Sequence, residues 1–103
     1  AVELSPNNIR VFALAPDMIM TPGLKPFYDA TTPDEVSARD RYIPLGRLGD
    51  VDEIGGVAVF LASKMASYLT GVVIPVDGGT IASSGWTKSK KGDWALFHGT
   101  EAP

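Results

Sequence analysis

The 103-residue sequence predicts an α/β fold with parallel strands. Two nearly continuous apolar runs, residues 9–15 and 72–76, have the composition of strands covered on both faces, as in a parallel sheet. Between them lies a segment with apolar residues at 54, 57, 58, 61 and 65, a stripe of helical period. A strand, a helix and a second buried strand in that order form a parallel crossover unit. Two strands alone do not make a stable sheet, so the expectation is one terminal unit of a larger α/β sheet, incomplete by itself.

Each element follows from local chemistry. Residues 1–8 read as the end of a helix or as a short disordered arm, closed by the Ser5-Pro6-Asn7-Asn8 turn signal. Residues 16–31, with Pro16, Pro22, Gly23 and Pro26, read as a long loop. Thr32-Pro33-Asp34-Glu35 opens a helix that runs to about Arg41: Thr32 caps, Pro33 suits the first turn, and Glu35 stands at capping-box spacing. Asp50 and Glu53 repeat that spacing at the start of the striped helix, which ends between Ser63 and Met65. Gly55 and Gly56 each cost about 1 kcal/mol relative to Ala, and close approach to a neighbouring backbone is their expected return. Pro75 lacks a ladder donor, which puts the second strand at an edge or at a bulge. Asp77-Gly78-Gly79 requires positive φ. The chain divides into residues 1–80, an α/β unit, and 81–103, an irregular Ser-, Gly- and Lys-containing tail.

Composition excludes several classes. With 45% hydrophobic and 20% charged residues the chain is not of a disordered type. No apolar run is long enough to cross a membrane, and no secretory leader pattern opens the sequence. Zero Cys excludes disulfides, thiolate catalysis and Cys-ligated metals, and suits a reducing, cytoplasmic location. A formal charge of −3 disfavours nucleic acid as a partner.

Chemistry-bearing motifs are sparse. His98, the single His, stands in a Gly-flanked tail, and Gly-x-Ser-x-Gly does not occur. The carboxylates at 50, 52 and 53 read as helix-cap and dipole residues rather than a metal cluster. Gly78-Gly79 follows a strand, the right place for a phosphate loop, but no periodic helix follows it, so it reads as a turn. No catalytic or metal-ligating residue is assigned.

Three groups of residues then become specific. Ile9-Arg10-Val11, Ala15-Pro16 and Ile19-x-Thr21-Pro22 resemble the sixth strand and following loop of short-chain dehydrogenases/reductases. Pro44-Leu45-Gly46-Arg47-Leu48-Gly49, Glu53-Ile54 and Phe60-Leu61-Ala62-Ser63 resemble that family's next loop and helix. Ala66-Ser67-Tyr68-Leu69-Thr70-Gly71 with Val76-Asp77-Gly78-Gly79 is similar to its final turn and strand. The resemblance spans residues 1–80 in order and implies the C-terminal part of a Rossmann-type doubly wound parallel sheet with NAD or NADP as cofactor.

Carried over residue by residue, the resemblance implies that Pro16, Asp17, Ile19 and Thr21 border the nicotinamide. Ile19 backbone groups would hold its carboxamide and the Thr21 hydroxyl the carboxamide or pyrophosphate, although Thr21 also reads simply as the start of a turn. Leu24, Phe27 and Tyr28 fall in the substrate-covering segment, where they line an apolar pocket or pin the loop. The implied reaction is hydride transfer between the nicotinamide and a small alcohol or carbonyl substrate. The implied partner is a second copy of the chain, through residues 50–65 and 72–76.

Departures from the family pattern limit this reading. Asp17 stands where the family usually has Gly, and Phe12 where it often has Asn. The cofactor fingerprint Thr-Gly-x-x-x-Gly-x-Gly is absent. So is Tyr-x-x-x-Lys, because Tyr28, Tyr42 and Tyr68 are followed at the fourth position by Thr32, Gly46 and Val72. The chain alone is therefore expected to be inactive. The alternative reading is a truncated, non-catalytic module that acts in oligomerisation or partner docking.

Overall fold

The computed structural model describes residues 1–96. A 3-10 turn over Val2–Asn7 ends at Asn8, whose φ of 58° closes it in the left-handed region. Strand β1 (Phe12–Pro16) follows, then the two-residue strand β2 (Ile19–Met20), helix α1 (Lys25–Asp29) and helix α2 (Pro33–Tyr42). Strand β3 (Gly49–Asp50) leads directly into helix α3 (Val51–Ala62), and β4 (Val72–Val76) completes the main unit.

Both capping boxes form as the sequence predicts. Thr32 Oγ1 accepts from Glu35 N–H at 3.2 Å while Glu35 accepts from Thr32 N–H at 2.9 Å. At α3, Asp50 accepts from Asp52 N–H at 2.8 Å and Glu53 from Asp50 N–H at 2.9 Å. Each box satisfies orphan donors of a first helical turn.

The main pairing is parallel, β1 on β4, with Phe12 opposite Val72 and Pro16 opposite Val76. A second parallel contact joins β2 to β3, with Ile19 opposite Gly49. Val76 C=O accepts from Asp17 N–H. Val76 therefore faces β1, and Pro75, one residue back, turns its donor-less nitrogen outward, the edge position expected of it.

Burial differs from the expectation for β1 and β4. Phe12, Leu14, Ile74 and Val76 are half-buried on one face, whereas Ala13, Val73 and Pro75 on the other are exposed. Among the described residues the only buried apolar side chains are Ile43, Leu61 and Ala66. The radius of gyration is 17.5 Å, against about 13 Å for a compact chain of this length. The accessible surface is 7427 Å², against roughly 5,600 Å² for a folded monomer of this mass. A Cβ on Gly55 or Gly56 would meet nothing within 4 Å outside the helix backbone, so no described residue takes up the close approach expected of them.

Arg10 links β1 to the helix end. Its guanidinium donates to the carbonyl of Leu61 in the last turn of α3, an acceptor the helix leaves unpaired, and to those of Ser63 and Ala66 in the 3-10 turn that follows. Val11 is tied to the turn before β4, donating its N–H to Thr70 Oγ1 at 3.0 Å and accepting from Gly71 N–H at 2.8 Å.

Two segments read as irregular contain regular structure. Pro22 and Gly23 read as breakers, yet α1 begins immediately after them with Pro26 in its first turn, a position where proline's missing donor costs nothing. Within 81–103, a 3-10 turn over Ile81–Ser83 is followed by a minimal antiparallel ladder of β5 (Thr87–Lys88) on β6 (Trp94–Ala95). That ladder packs against α2. His98 lies outside the described residues.

Candidate functional site

The C-terminal ends of β1 and β4 open onto a small cleft of about 90 Å³. Asp17, Ile19, Leu45, Gly49, Asp77 and Gly78 line it, with Arg47 and Glu53 at its rim. In open α/β sheets ligands sit outside the carboxyl ends of parallel strands, which is this position. A complete small-molecule pocket spans roughly 300–1,000 Å³, several times the volume of this cleft.

Three loops meet there because glycines allow it. Gly49 lies against Ile19, and a Cβ on it would come within 2.6 Å of Ile19 Cδ1. Gly78, at φ 65°, brings the end of β4 against the buried Ile43, and Leu45 N–H donates to its carbonyl at 3.0 Å. Asp77 is consumed in shaping the turn: its carboxylate accepts from Gly79 N–H at 2.9 Å and from Ile81 N–H at 3.0 Å.

Of the residues singled out for the cofactor, the structure places Asp17 and Ile19 in the cleft wall. Pro16 ends β1 immediately before it, and Thr21 does not line it. Positive φ in this loop falls on Met18, at 55°. Met18 C=O accepts from Gly49 N–H at 2.9 Å, which turns the peptide groups of Ile19 away from β3. The Ile19 carbonyl has only a long 3.5 Å contact from Tyr28 Oη. A carboxamide needs one donor and one acceptor at fixed spacing, and the Ile19 peptide offers both beside the cleft. Thr21 forms the turn into α1: its Oγ1 accepts from Leu24 N–H at 3.2 Å and its carbonyl from Lys25 N–H at 3.0 Å. Its hydroxyl proton remains to donate.

Phe27 and Tyr28 do line an apolar cavity of about 480 Å³ with Met18, Val36 and Arg39. Their rings meet edge to face at 5.6 Å, and the Arg39 guanidinium lies 5.9 Å from the Tyr28 ring centroid. Leu24 is outside that lining and 45% exposed.

In sequence, Arg47 reads as part of the family pattern and Glu53 as a helix-capping residue as well. They form a two-pronged ion pair, Nη1–Oε1 2.8 Å and Nη2–Oε2 2.9 Å. The hydrogen bond from Arg47, then that from the Asp50 backbone, holds the Glu53 carboxyl down at about 2. The same contacts push the Arg47 guanidinium further up. The spacing of six residues hid this pair, because β3 and the first turn of α3 fold the chain back between them.

Comparison with known proteins identifies the family. A family model described as enoyl-(acyl carrier protein) reductase matches residues 1–80. The 2-dehydro-3-deoxy-D-gluconate 5-dehydrogenase of Bacillus subtilis is 43% identical over 84 residues, covering 80% of this chain and 32% of the relative. L-xylulose reductase of Bos taurus is 42% identical over 84 residues, covering 81% and 33%. Among solved structures, the Cj0485 dehydrogenase superposes with a TM-score of 0.71 at 32% identity, covering 79% of this chain and 32% of that one. YwfH, an NADPH-dependent reductase involved in bacilysin biosynthesis, superposes with a TM-score of 0.68 at 35% identity, covering 77% and 32%. The chain belongs to the short-chain dehydrogenase/reductase family, whose fold is Rossmann-like and whose cofactor is NAD or NADP. It spans about a third of the length of these relatives.

Proposed function

We propose that this chain forms the nicotinamide-side loop, the substrate lid and an oligomer surface of an NAD(P)-dependent oxidoreductase acting on a small alcohol or carbonyl compound. The observation that supports the reading best is the Ile19 peptide, turned away from its ladder at the carboxyl end of a parallel strand pair and lining the cleft. A bound nicotinamide cofactor supplies or accepts the hydride. Ile19 N–H and C=O would hold its carboxamide, and the Thr21 hydroxyl would donate to it from the turn that opens α1. Phe27 and Tyr28 would cover the substrate and exclude water, which strengthens electrostatic interactions inside a closed site.

The Asp17 carboxylate works against one part of this. It lines the cleft where an anionic pyrophosphate would be repelled at close range. Removing it should tighten cofactor binding. In the intact natural polypeptide that carries these residues, Asp17→Gly should lower the Kd for NADH or NADPH, read by cofactor fluorescence. Unchanged or weaker binding would count against the placement of the nicotinamide loop.

The proton that accompanies hydride transfer must come from outside this chain. Tyr28, Tyr42 and Tyr68 have no Lys at the fourth position to lower a phenol pKa. The purified 103-residue chain is therefore expected to show no oxidation of NADH or NADPH with any of a panel of aldehydes and ketones. Turnover that co-purifies with the chain itself would overturn the assignment of an inactive part. The second reading, a non-catalytic docking module, draws on the uncovered face of β1 and β4 and on the open surround of Gly55 and Gly56.

A further inference from the structure

The ladder of β5 and β6 lies beyond residue 80, where the family match ends, and its contact with α2 creates a cleft that belongs neither to the nicotinamide loop nor to the lid pocket. The cleft measures about 740 Å³ and is lined by Ser37 and Arg41 from α2, by Lys88, Ser89 and Lys90 from the ladder, and by Asp34 and Gly92. Three cations from two elements therefore meet across one opening with a single carboxylate, in a chain whose overall charge is negative. Among the described residues none of the three is in an ion pair.

The partners these groups do have leave their charge available. Arg41 Nη1 donates to Ser37 Oγ at 2.6 Å, which leaves the Ser37 hydroxyl proton and the other guanidinium donors free to bind an acceptor. Lys88 Nζ lies 5.1 Å from the Trp94 ring centroid and donates to Pro44 C=O at 3.5 Å. The turn between β5 and β6 is built around the buried Ser89, whose Oγ accepts from Lys91 N–H at 3.1 Å and Asp93 N–H at 3.2 Å. That arrangement fixes Lys88 and Lys90 on either side of a rigid point.

Bringing like charges together opposes docking of the ladder on α2 unless something neutralises them. We propose that this cleft binds a phosphoryl group, free or carried by a small molecule, between Arg41 and Lys90, and that its binding fastens residues 84–96 onto α2. A tetrahedral dianion matches the excess of charge and offers oxygens to the guanidinium, the ammonium and the Ser37 hydroxyl together. Asp34 sits in the same lining and weakens the site.

Hydrogen exchange of the intact natural polypeptide tests this, with peptides covering 33–42 and 84–96 followed in inorganic phosphate, in glycerol phosphate and in sodium chloride at matched ionic strength. With phosphate at about twice its Kd, exchange through opening of the ladder should slow about threefold, and chloride should not reproduce it. A response to both phosphate compounds assigns the site to the phosphoryl group itself; a response to glycerol phosphate alone assigns it to a phosphorylated small molecule. The Arg41→Gln, Lys90→Gln double variant should lose the response, Asp34→Asn should reach it at lower phosphate, and Lys91→Gln, one residue outside the lining, should keep it. An equal effect of chloride, a response that survives in the double variant, or its loss in Lys91→Gln would overturn the proposal. Local exchange separates this site from the cofactor cleft, and the test stands whether or not the chain serves an oxidoreductase.

Discussion

Arg10 closes the C-terminal end of α3 with hydrogen bonds to three carbonyls from a neighbouring strand. Removing it takes the hydrogen bond from the Leu61 carbonyl, while Ser63 and Ala66 C=O still accept from Ala66 and Leu69 N–H, and a hydrogen bond to a charged group contributes about 1.5–3 kcal/mol. Arg10→Ala should lower the unfolding free energy of the intact protein by that order, visible as a lower denaturant midpoint at unchanged m-value. Arg10→Lys should recover only part of it, because an ammonium cannot present the planar fork that reaches several oxygens at once. Gly49→Ala acts differently. Its new Cβ would collide with Ile19 Cδ1, so the cost falls on the position of the nicotinamide loop. A several-fold rise in cofactor Kd with a smaller change in thermal stability is the expected pattern, read by cofactor titration and by thermal melting.

At the scale of elements, the first turn of α3 carries a pH signature. Glu53 is both the reciprocal partner of Asp50 in the capping box and the acceptor for Arg47. Its carboxyl is held at about 2 in the fold, below the ordinary value of 4.5. A depressed carboxylate pKa contributes stability that is fully present above the ordinary value and is lost as pH falls through the folded one. Helicity of the α3 start should therefore decline between about pH 4.5 and 2, and Glu53→Gln should flatten that part of the circular-dichroism profile.

The same helix shows what the sequence can convey. Both capping boxes, the starts of α2 and α3, and the turn at Gly78 are local chemistry written within a few residues, and each forms where the spacing puts it, whereas α3 ends at Ala62 and leaves Met65 of the expected stripe outside it. What escaped was made by contacts distant in sequence. The β2–β3 pair joins Ile19 to Gly49 across thirty positions through backbone alone. The β5–β6 arms are two residues long, too short to show alternation. At the site, Asp17 and Ile19 were identified, but Arg47, Gly49, Asp77 and Gly78 were not given roles. Their signal lay in two loops that only the glycine contacts bring together.

For the whole molecule, uncovered apolar surface decides behaviour. Among the described residues, three buried apolar side chains do not make a core that offsets the ordering entropy of a chain this long. The isolated chain should therefore unfold without a sharp cooperative transition. In solution it should sediment as a dimer or larger assembly, or dock on a partner, through residues 50–65 and 72–76. A monodisperse monomer with a steep melting curve would contradict this. Exposed Val59 and Val73, at 71% and 66%, are the side chains such an interface would cover first.

The two free margins of the β1–β4 ribbon are not equivalent. On the β4 side Pro75 removes a rung, whereas the β1 side keeps donors and acceptors in sequence until Pro16. An incoming strand would find a fuller set of hydrogen-bonding groups along β1 than along β4. Mispairing during synthesis or refolding should accordingly favour the β1 side, where no proline interrupts the backbone donors before Pro16.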